Sequence, residues 1–309
     1  MSRRGVPARF ENILLHEDFG PIEQTIDDYA IKTFAFTMDD YHAWAFGPSP
    51  FGRRIGQAGL LANELLQLFT EVYDVQTVVG LHTQEELWFV NPVFEGERVR
   101  LHGQYVEKYE RRGKGYVVME ADARGEDGRI LVRHRGVEIL HIQAGTVVGK
   151  GTAEPPEKRV TGTYRPDVAP AEHARRGLEP GTPLVPLTKR VMQDQIAVFS
   201  RVGRHVRSIH TDLEVAKRAG LKDTLAQGMM EFVHGTELLT RFFGAAWFTS
   251  GWQKMKFLRP VYAGESLVIR GAVTGERREA DATHVELDVW VENAAKEMTA
   301  AGWASAQVD

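Results

Sequence analysis

The chain contains no cysteine. That excludes disulfides, thiolate nucleophiles and cysteine-ligated zinc. It has no uninterrupted apolar run long enough to cross a bilayer. Met1-Ser2-Arg3-Arg4-Gly5 carries charge, but no apolar segment follows it. The sequence therefore predicts no signal peptide and a cytoplasmic location. Neither sign of charge is in large excess: 38 basic residues face 42 acidic ones, for a net charge of −4. Such a balance gives no electrostatic footprint for nucleic acid or a membrane surface. Arg111-Arg112 and Arg277-Arg278 read as solvated turns. There is no HExxH, and no histidine pair has a metal-binding spacing, so no metal is expected.

What remains is an ordinary globular composition, 43% hydrophobic and 26% charged over 309 residues, enough for two domains or one large one. Residues 10 to 36 read as an irregular lead-in with a strand at Ala30 to Phe36. Thr37-Met38-Asp39-Asp40 reads as a helix start, with the helix over Tyr41 to Phe46. A second helix opens at Gln57-Ala58-Gly59, with apolar positions Leu60, Leu61, Leu65, Leu68, Phe69 and Val72 at helical spacing. Strands follow at Glu86 to Val90, Glu97 to Lys108, Gly115 to Ala123 and Arg129 to Ile142. Asp127-Gly128 marks the hairpin between the last two.

Residues 143 to 186 hold Pro155, Pro156, Pro166, Pro170, Pro180, Pro183 and Pro186. This segment reads as a linker lying along the surface, with a short helix at Pro170 to Arg176. After it the earlier pattern returns. Phe89-Val90-Asn91-Pro92-Val93-Phe94-Glu95-Gly96-Glu97 is answered by Phe257-Leu258-Arg259-Pro260-Val261-Tyr262-Ala263-Gly264-Glu265. Gly59 before Leu60-Leu61 is answered, at nearly the same offset, by Gly228 before Met229-Met230. Two matches at one offset argue for a duplication. Gly228 opens a strongly apolar run through Phe243, the signature of a helix buried on most of its surface. The strands after it fall at Ser266 to Thr274, Thr283 to Glu292 and Glu297 to Ala306. Each half is thus expected to wrap an antiparallel sheet around one long helix, an α+β arrangement.

The richest stretch is Ser208-Ile209-His210-Thr211-Asp212 through Ala226-Gln227-Gly228-Met229. A helix terminus presents free backbone N–H groups and a partial positive charge, which stabilise an oxyanion. A loop histidine beside it would add proton transfer. Together with Ala219-Gly220 and the Phe257-Leu258-Arg259-Pro260-Val261 segment, this order resembles the MaoC-like, or type 2, enoyl-CoA hydratase family. In the first half, Ser49-Pro50-Phe51-Gly52 and Pro92-Val93 resemble the degenerate N-terminal unit of its two-domain members. The resemblance implies a double hot-dog fold: residues 1–142 as a non-catalytic hot dog that accommodates the acyl group, 143–186 as linker, and 187–309 as the catalytic hot dog. It implies reversible hydration of an enoyl-CoA, or dehydration of a 3-hydroxyacyl-CoA, in fatty acid metabolism. It further implies a homodimer, and no cofactor beyond the CoA of the substrate. His210 falls on the family's histidine and Gly228 on its oxyanion glycine.

One departure is plain. The family pattern is Gly-Asp-x-Asn-Pro-x-His, and here Gly203-Arg204-His205-Val206-Arg207-Ser208-Ile209-His210 places His205 in the aspartate slot. His205 reads either as a loop residue or as a replacement acid–base, since imidazole titrates near neutrality. Arg204 and Arg207 are candidates for an acyl carboxylate or a CoA phosphate, which fits a branched or dicarboxylic acyl group. Arg259, Arg53, Arg54 and Lys254 are further phosphate candidates, and Gly59 is a candidate for substrate contact. Asp212 reads as a helix N-cap. Asp39, Asp40 and His42 read as a helix start and its solvent face. Glu64 and Glu231, early in the two helices, are the carboxylates an acyl-CoA thioesterase would use; their plainer reading is buried, hydrogen-bonded glutamates. A non-catalytic acyl-CoA-binding subunit is the third alternative.

Overall fold

A computed structural model describes residues 4–74, 80–140, 159–200, 207–279 and 281–308. The elements run β1 (Val6–Pro7), β2 (Phe19–Ile26), α1 (Asp28–Met38), α2 (Ala62–Leu66), β3 (Tyr73–Asp74), β4 (Gly80–Phe89), β5 (Glu97–Arg111), β6 (Lys114–Arg124) and β7 (Ile130–Leu140) in the first half. The second half holds β8 (Leu187–Arg190), α3 (Gln193–Phe199), α4 (Leu213–Arg218), α5 (Gly228–Phe243), α6 (Trp247–Ser250), β9 (Trp252–Phe257), β10 (Ser266–Glu279), β11 (Ala282–Asn293) and β12 (Met298–Val308).

Ten strands form one sheet in the order β2-β5-β6-β7-β4-β9-β12-β11-β10-β8. The two halves are mirrored in that order, and they join where β4 pairs antiparallel with β9, Gln84 opposite Lys256. The expected pair of sheets is therefore a single sheet. The strands that would have been exposed inner edges pair with each other, which removes two rows of unpaired backbone groups. α5 packs against β4, β9, β10, β11 and β12 and is buried on nearly every side, from Met229 to Phe243. Helix α1 packs on α3 across the junction. The fold is an α+β double hot dog.

The first half departs from its expected form at three places. Ala30 to Phe36 lies within a helix, α1, rather than a strand. The Asp27 carboxylate accepts from Ala30 N at 2.8 Å, a helix N-cap. Ile31, Phe34, Ala35 and Met38 then fall at helical spacing and are buried. Asp39 ends α1 at φ 51°, the left-handed conformation usual just past a helix, so the helix stops where one was expected to start. Residues 41–46 hold only a single 3-10 turn, Ala43–Ala45. The second helix is also short: α2 continues only as a 3-10 turn over Gln67–Glu71. Aromatic and β-branched residues follow, Phe69-Thr70 and Val72-Tyr73, which are weak helix formers. Tyr73 instead joins β1 in a small parallel pair.

The proline-rich segment is described from residue 159 onward. It contains no helix at 170–176. Ala171 instead bridges to Leu184, and the chain hydrogen-bonds to β10 through Gly181 N to Val273 O and Leu184 N to Gly271 O. Leu178 and Leu184 are buried, so this stretch is part of the packed structure. Arg277 and Arg278 lie in strand rather than in a turn, paired across to β11. They remain exposed, and Arg277 faces Glu286 at 3.1 Å.

Candidate active site

The loop before α4 is braced by its own side chains. Asp212 caps α4, accepting from Glu214 N at 3.0 Å and Val215 N at 3.1 Å. Ser208 Oγ accepts from His210 N at 3.2 Å, and Thr211 Oγ1 accepts from Ser208 N at 3.0 Å. Gln193 Nε2, at the start of α3, donates to the His210 carbonyl at 3.2 Å. These bonds fix the backbone on either side of the histidine.

Among the described residues the ring is held by one hydrogen bond. His210 Nδ1 lies 2.7 Å from the carbonyl of Leu225. A carbonyl only accepts, so Nδ1 carries the proton and Nε2 presents its lone pair. Burial lowers the imidazole's pKa below the usual 6.5, partly offset by the Leu225 carbonyl. The ring is therefore neutral near pH 7, the form that takes a proton. Leu225 N donates in turn to Ile209 O at 3.0 Å, and Ala226 N donates to Val261 O at 2.8 Å. These bonds bring the histidine against the strand-like segment that leads straight into α5.

Gln227 is extended and places no side-chain cap on α5. The N–H groups of a first helical turn lack the carbonyl four residues back, and here Met230 N turns to Gln227 O at 2.9 Å. The Gln227 amide reaches sideways to Ser200 Oγ at 3.0 Å, clear of the helix axis. A β-carbon on Gly228 would sit 2.7 Å from the ring of Phe257. Glycine here is thus demanded by packing, and the same bare backbone leaves the helix terminus uncovered by a side chain of its own.

The two halves can be compared bond by bond. In the first half Ile55 N donates to Trp44 O, Gly56 N to Val93 O and Leu60 N to Gln57 O. In the second, Leu225 N donates to Ile209 O, Ala226 N to Val261 O and Met230 N to Gln227 O. Ile55 bridges Phe94 as Leu225 bridges Tyr262. This register sets Ala45 opposite His210 and Ala58, not Gly59, opposite Gly228. The first half carries no histidine at the equivalent place. Gly59 instead packs against α5, where an added β-carbon would lie 2.9 Å from Val233 Cγ1.

The remaining candidates fall in different places. Arg204 and His205 lie outside the described residues. Arg207 is exposed and binds Asp212 at 2.5 Å, away from the ring. Arg259 is exposed, donating to Met298 O at 2.7 Å. Arg53 stacks over Phe94 at 4.7 Å. Arg54 is a structural tie, bound to Asp28 at 2.6 Å, to Glu95 at 2.7 Å and to the Ala45 carbonyl. Lys254 lies 3.8 Å from Glu86. Asp40 is buried and accepts from His42 N at 3.2 Å, so it is not part of the solvent face expected of it, whereas Asp39 is exposed and His42 half-buried. Glu231 is buried in the core, where desolvation pushes its carboxyl up to about 8 against a hydrogen bond from Thr299. Glu64 lines a cavity of about 120 Å³ beside Asn63 and Phe199. Burial pushes its carboxyl up to about 7.

The sequence does not mark Gln193 or Asn63, since lone amides carry no pattern, and it shows Gln227 only as a neighbour of Gly228. Phe257 enters the sequence reading only within the repeat and the motif that carries the resemblance, with no role of its own. Among the described residues no cluster of three or more histidine, aspartate or glutamate side chains is arranged to hold a metal, and no helix is long and apolar enough to cross a membrane.

Comparison with known proteins agrees with this geometry. Residues 175–295 match the family described as MaoC like domain. A structure described as a MaoC-like dehydratase superposes with a TM-score of 0.73 at 14% identity, covering 97% of this chain and 99% of its own. A Mycobacterium tuberculosis protein described as having a double hotdog fold gives a TM-score of 0.69 at 14% identity, covering 97% of this chain and 98% of its own. The full-length peroxisomal multifunctional enzyme type 2 of Drosophila melanogaster gives 0.61 at 16% identity, covering 93% of this chain and 48% of its own. The search of curated proteins found no match. Residues 175–295, with His210 and Gly228 inside them, match the MaoC-like domain, and the chain that carries them has the double hot-dog fold.

Proposed function

We propose that this chain catalyses the reversible addition of water to an enoyl-CoA, equivalently the dehydration of a 3-hydroxyacyl-CoA. The observation that carries the reading is the clamp on His210. Its Nδ1–H is held by the Leu225 carbonyl at 2.7 Å, three residues before the uncapped start of α5. Nε2 is thereby left as the proton-transfer atom. In the hydration direction, water adds at the β-carbon and a proton is delivered to the α-carbon. Negative charge gathers on the thioester oxygen between these events. The α5 terminus at Gly228, with its free N–H groups and partial positive charge, is the group suited to hold it. His210 Nε2 accepts a proton from water or returns one to carbon. Under this reading the first half, with Ala45 and Ala58 at the equivalent positions, accommodates substrate rather than acting on it.

A thioesterase would need an ionised carboxylate to attack the thioester carbonyl or to activate water. Glu231 is held largely protonated within the core at pH 7, which argues against it in that role. Incubation of the wild type and His210→Ala with a panel of linear, branched and dicarboxylic enoyl-CoAs, read by mass spectrometry, separates the possibilities. The expected result is gain of one water with CoA attached in the wild type, reduced at least a hundredfold in the variant. Release of free CoA would mark a thioesterase. Binding without turnover would mark an acyl-CoA-binding subunit. Full hydration by His210→Ala would remove the histidine from the mechanism.

A further inference from the structure

The cavity of about 120 Å³ between the halves has Phe34, Leu60 and Phe199 as apolar walls, with Thr37, Asn63 and Glu64 among its polar lining. Asn63 is only 3% exposed. Its amide N–H donates to Phe199 O at 2.7 Å, yet its Oδ1 is buried with no hydrogen-bond partner. A buried polar atom left unpaired is destabilising, so an occupant that donates to it is favoured. Glu64 is the next residue. With burial holding its carboxyl protonated up to about pH 7, it has an O–H to donate. No lysine or arginine is among the described lining residues. Phe199 adjoins Ser200, whose hydroxyl accepts from Gln227, the residue before Gly228. One hydrogen bond thus links the segment that ends the cavity wall to the residue before the helix terminus.

We propose that this cavity receives the far end of a short acyl chain, and that Asn63 and Glu64 select a neutral group there which both donates and accepts, a hydroxyl or a primary carboxamide. The inference rests on the acyl-CoA reading given above. A hydroxyl on the chain donates to Asn63 Oδ1 and accepts from the Glu64 carboxyl. A plain alkyl end leaves Asn63 Oδ1 unpaired. A terminal carboxylate accepts from the Glu64 carboxyl but has no proton to give Asn63 Oδ1, and no lysine or arginine among the described lining residues balances its charge, so the cavity disfavours the dicarboxylic acyl group suggested by the loop arginines.

Calorimetric binding of γ-hydroxybutyryl-CoA, butyryl-CoA and succinyl-CoA to the full chain tests this without any turnover. The hydroxy compound should bind roughly tenfold tighter than butyryl-CoA, a difference of about 1.4 kcal/mol, with succinyl-CoA weakest. Glu64→Gln, neutral and still able to donate and accept, should keep the preference. Glu64→Leu, which removes one of the two partners, should weaken it. Equal binding of the hydroxy and plain compounds by the wild type, or a preference for succinyl-CoA, overturns the proposal. So does an unchanged preference in a folded Glu64→Leu. A preserved preference in a protein that hydrates no enoyl-CoA would sink the hydratase reading and leave the cavity assignment standing. Hydration without the preference would do the reverse.

Discussion

At the scale of single residues, His210 and Glu231 show how burial sets protonation. The His210 ring is pulled below 6.5 by desolvation, so its basic form persists into mild acid. If it is the proton acceptor, the acid limb of kcat/KM should lie below the ordinary imidazole value, with activity rising as pH rises through the lowered pKa. A limb at or above 6.5 would show that some other group controls the rate. Glu231 runs the other way. Its folded carboxyl holds a proton up to about 8, against 4.5 in the unfolded chain. The folded state therefore binds more protons between those values. The favourable contribution is whole below 4.5 and is lost as pH rises to about 8, with a slope of about 1.4 kcal/mol per pH unit. Glu231→Gln removes the titration. Denaturant unfolding across this range should show the variant gaining on the wild type until about pH 8, with a constant difference beyond it. Parallel stability curves would mean that Glu231 titrates alike in both states.

At the scale of elements, α5 was legible in the sequence because its apolar positions and its opening glycine agree with one another. The strands after it were legible for a similar reason: Val285, Leu287, Val289 and Val291 alternate and are all buried. α1 was not, because Ile31, Thr33 and a short apolar run imitate a strand, and only the Asp27 cap separates the two readings. The role of Gly228 was half legible. Its place before the helix is visible in sequence, whereas its contact with Phe257, across the sheet, depends on tertiary packing. The match of Gly59 to Gly228 slipped by one residue because the glycines align by eye while the hydrogen-bond register aligns Ala58. Packing at the α5 terminus makes a direct prediction. Gly228→Ala drives a methyl into the Phe257 ring and should cost about 1–3 kcal/mol. Adding Phe257→Ala makes room, so the double variant should be less destabilised than the sum of the two single ones. Simple additivity in thermal unfolding would show that the methyl is accommodated in some other direction.

At the scale of the whole molecule, the duplication gives a chain whose halves complete each other. The sheet runs unbroken through β4 and β9, and a buried charge ties the helices beneath it. Lys189, from the second half, lies 2.7 Å from Glu237 on α5. It also donates to the carbonyls of Met38 and Asp39 at the end of α1. Lys189 is 5% and Glu237 2% exposed. The pair thus fastens the end of a first-half helix to the core helix of the second. Neither residue was marked by sequence reading, since a lone lysine in a short strand has no pattern to betray burial. Removing one buried partner strands the other, at about 3–5 kcal/mol, whereas replacing both with apolar residues of similar size can be nearly neutral. Lys189→Met should therefore lower stability by about 3 kcal/mol, the low end of that range, because Arg241 still contacts Glu237 at 2.6 Å. Lys189→Met with Glu237→Met should recover much of the loss. In all of these variants the near- and far-ultraviolet transitions should coincide, because a shared sheet and a shared core leave neither half able to unfold alone. A split transition in Lys189→Met, with one half melting before the other, would show that the β4–β9 pairing joins two independent units rather than making one.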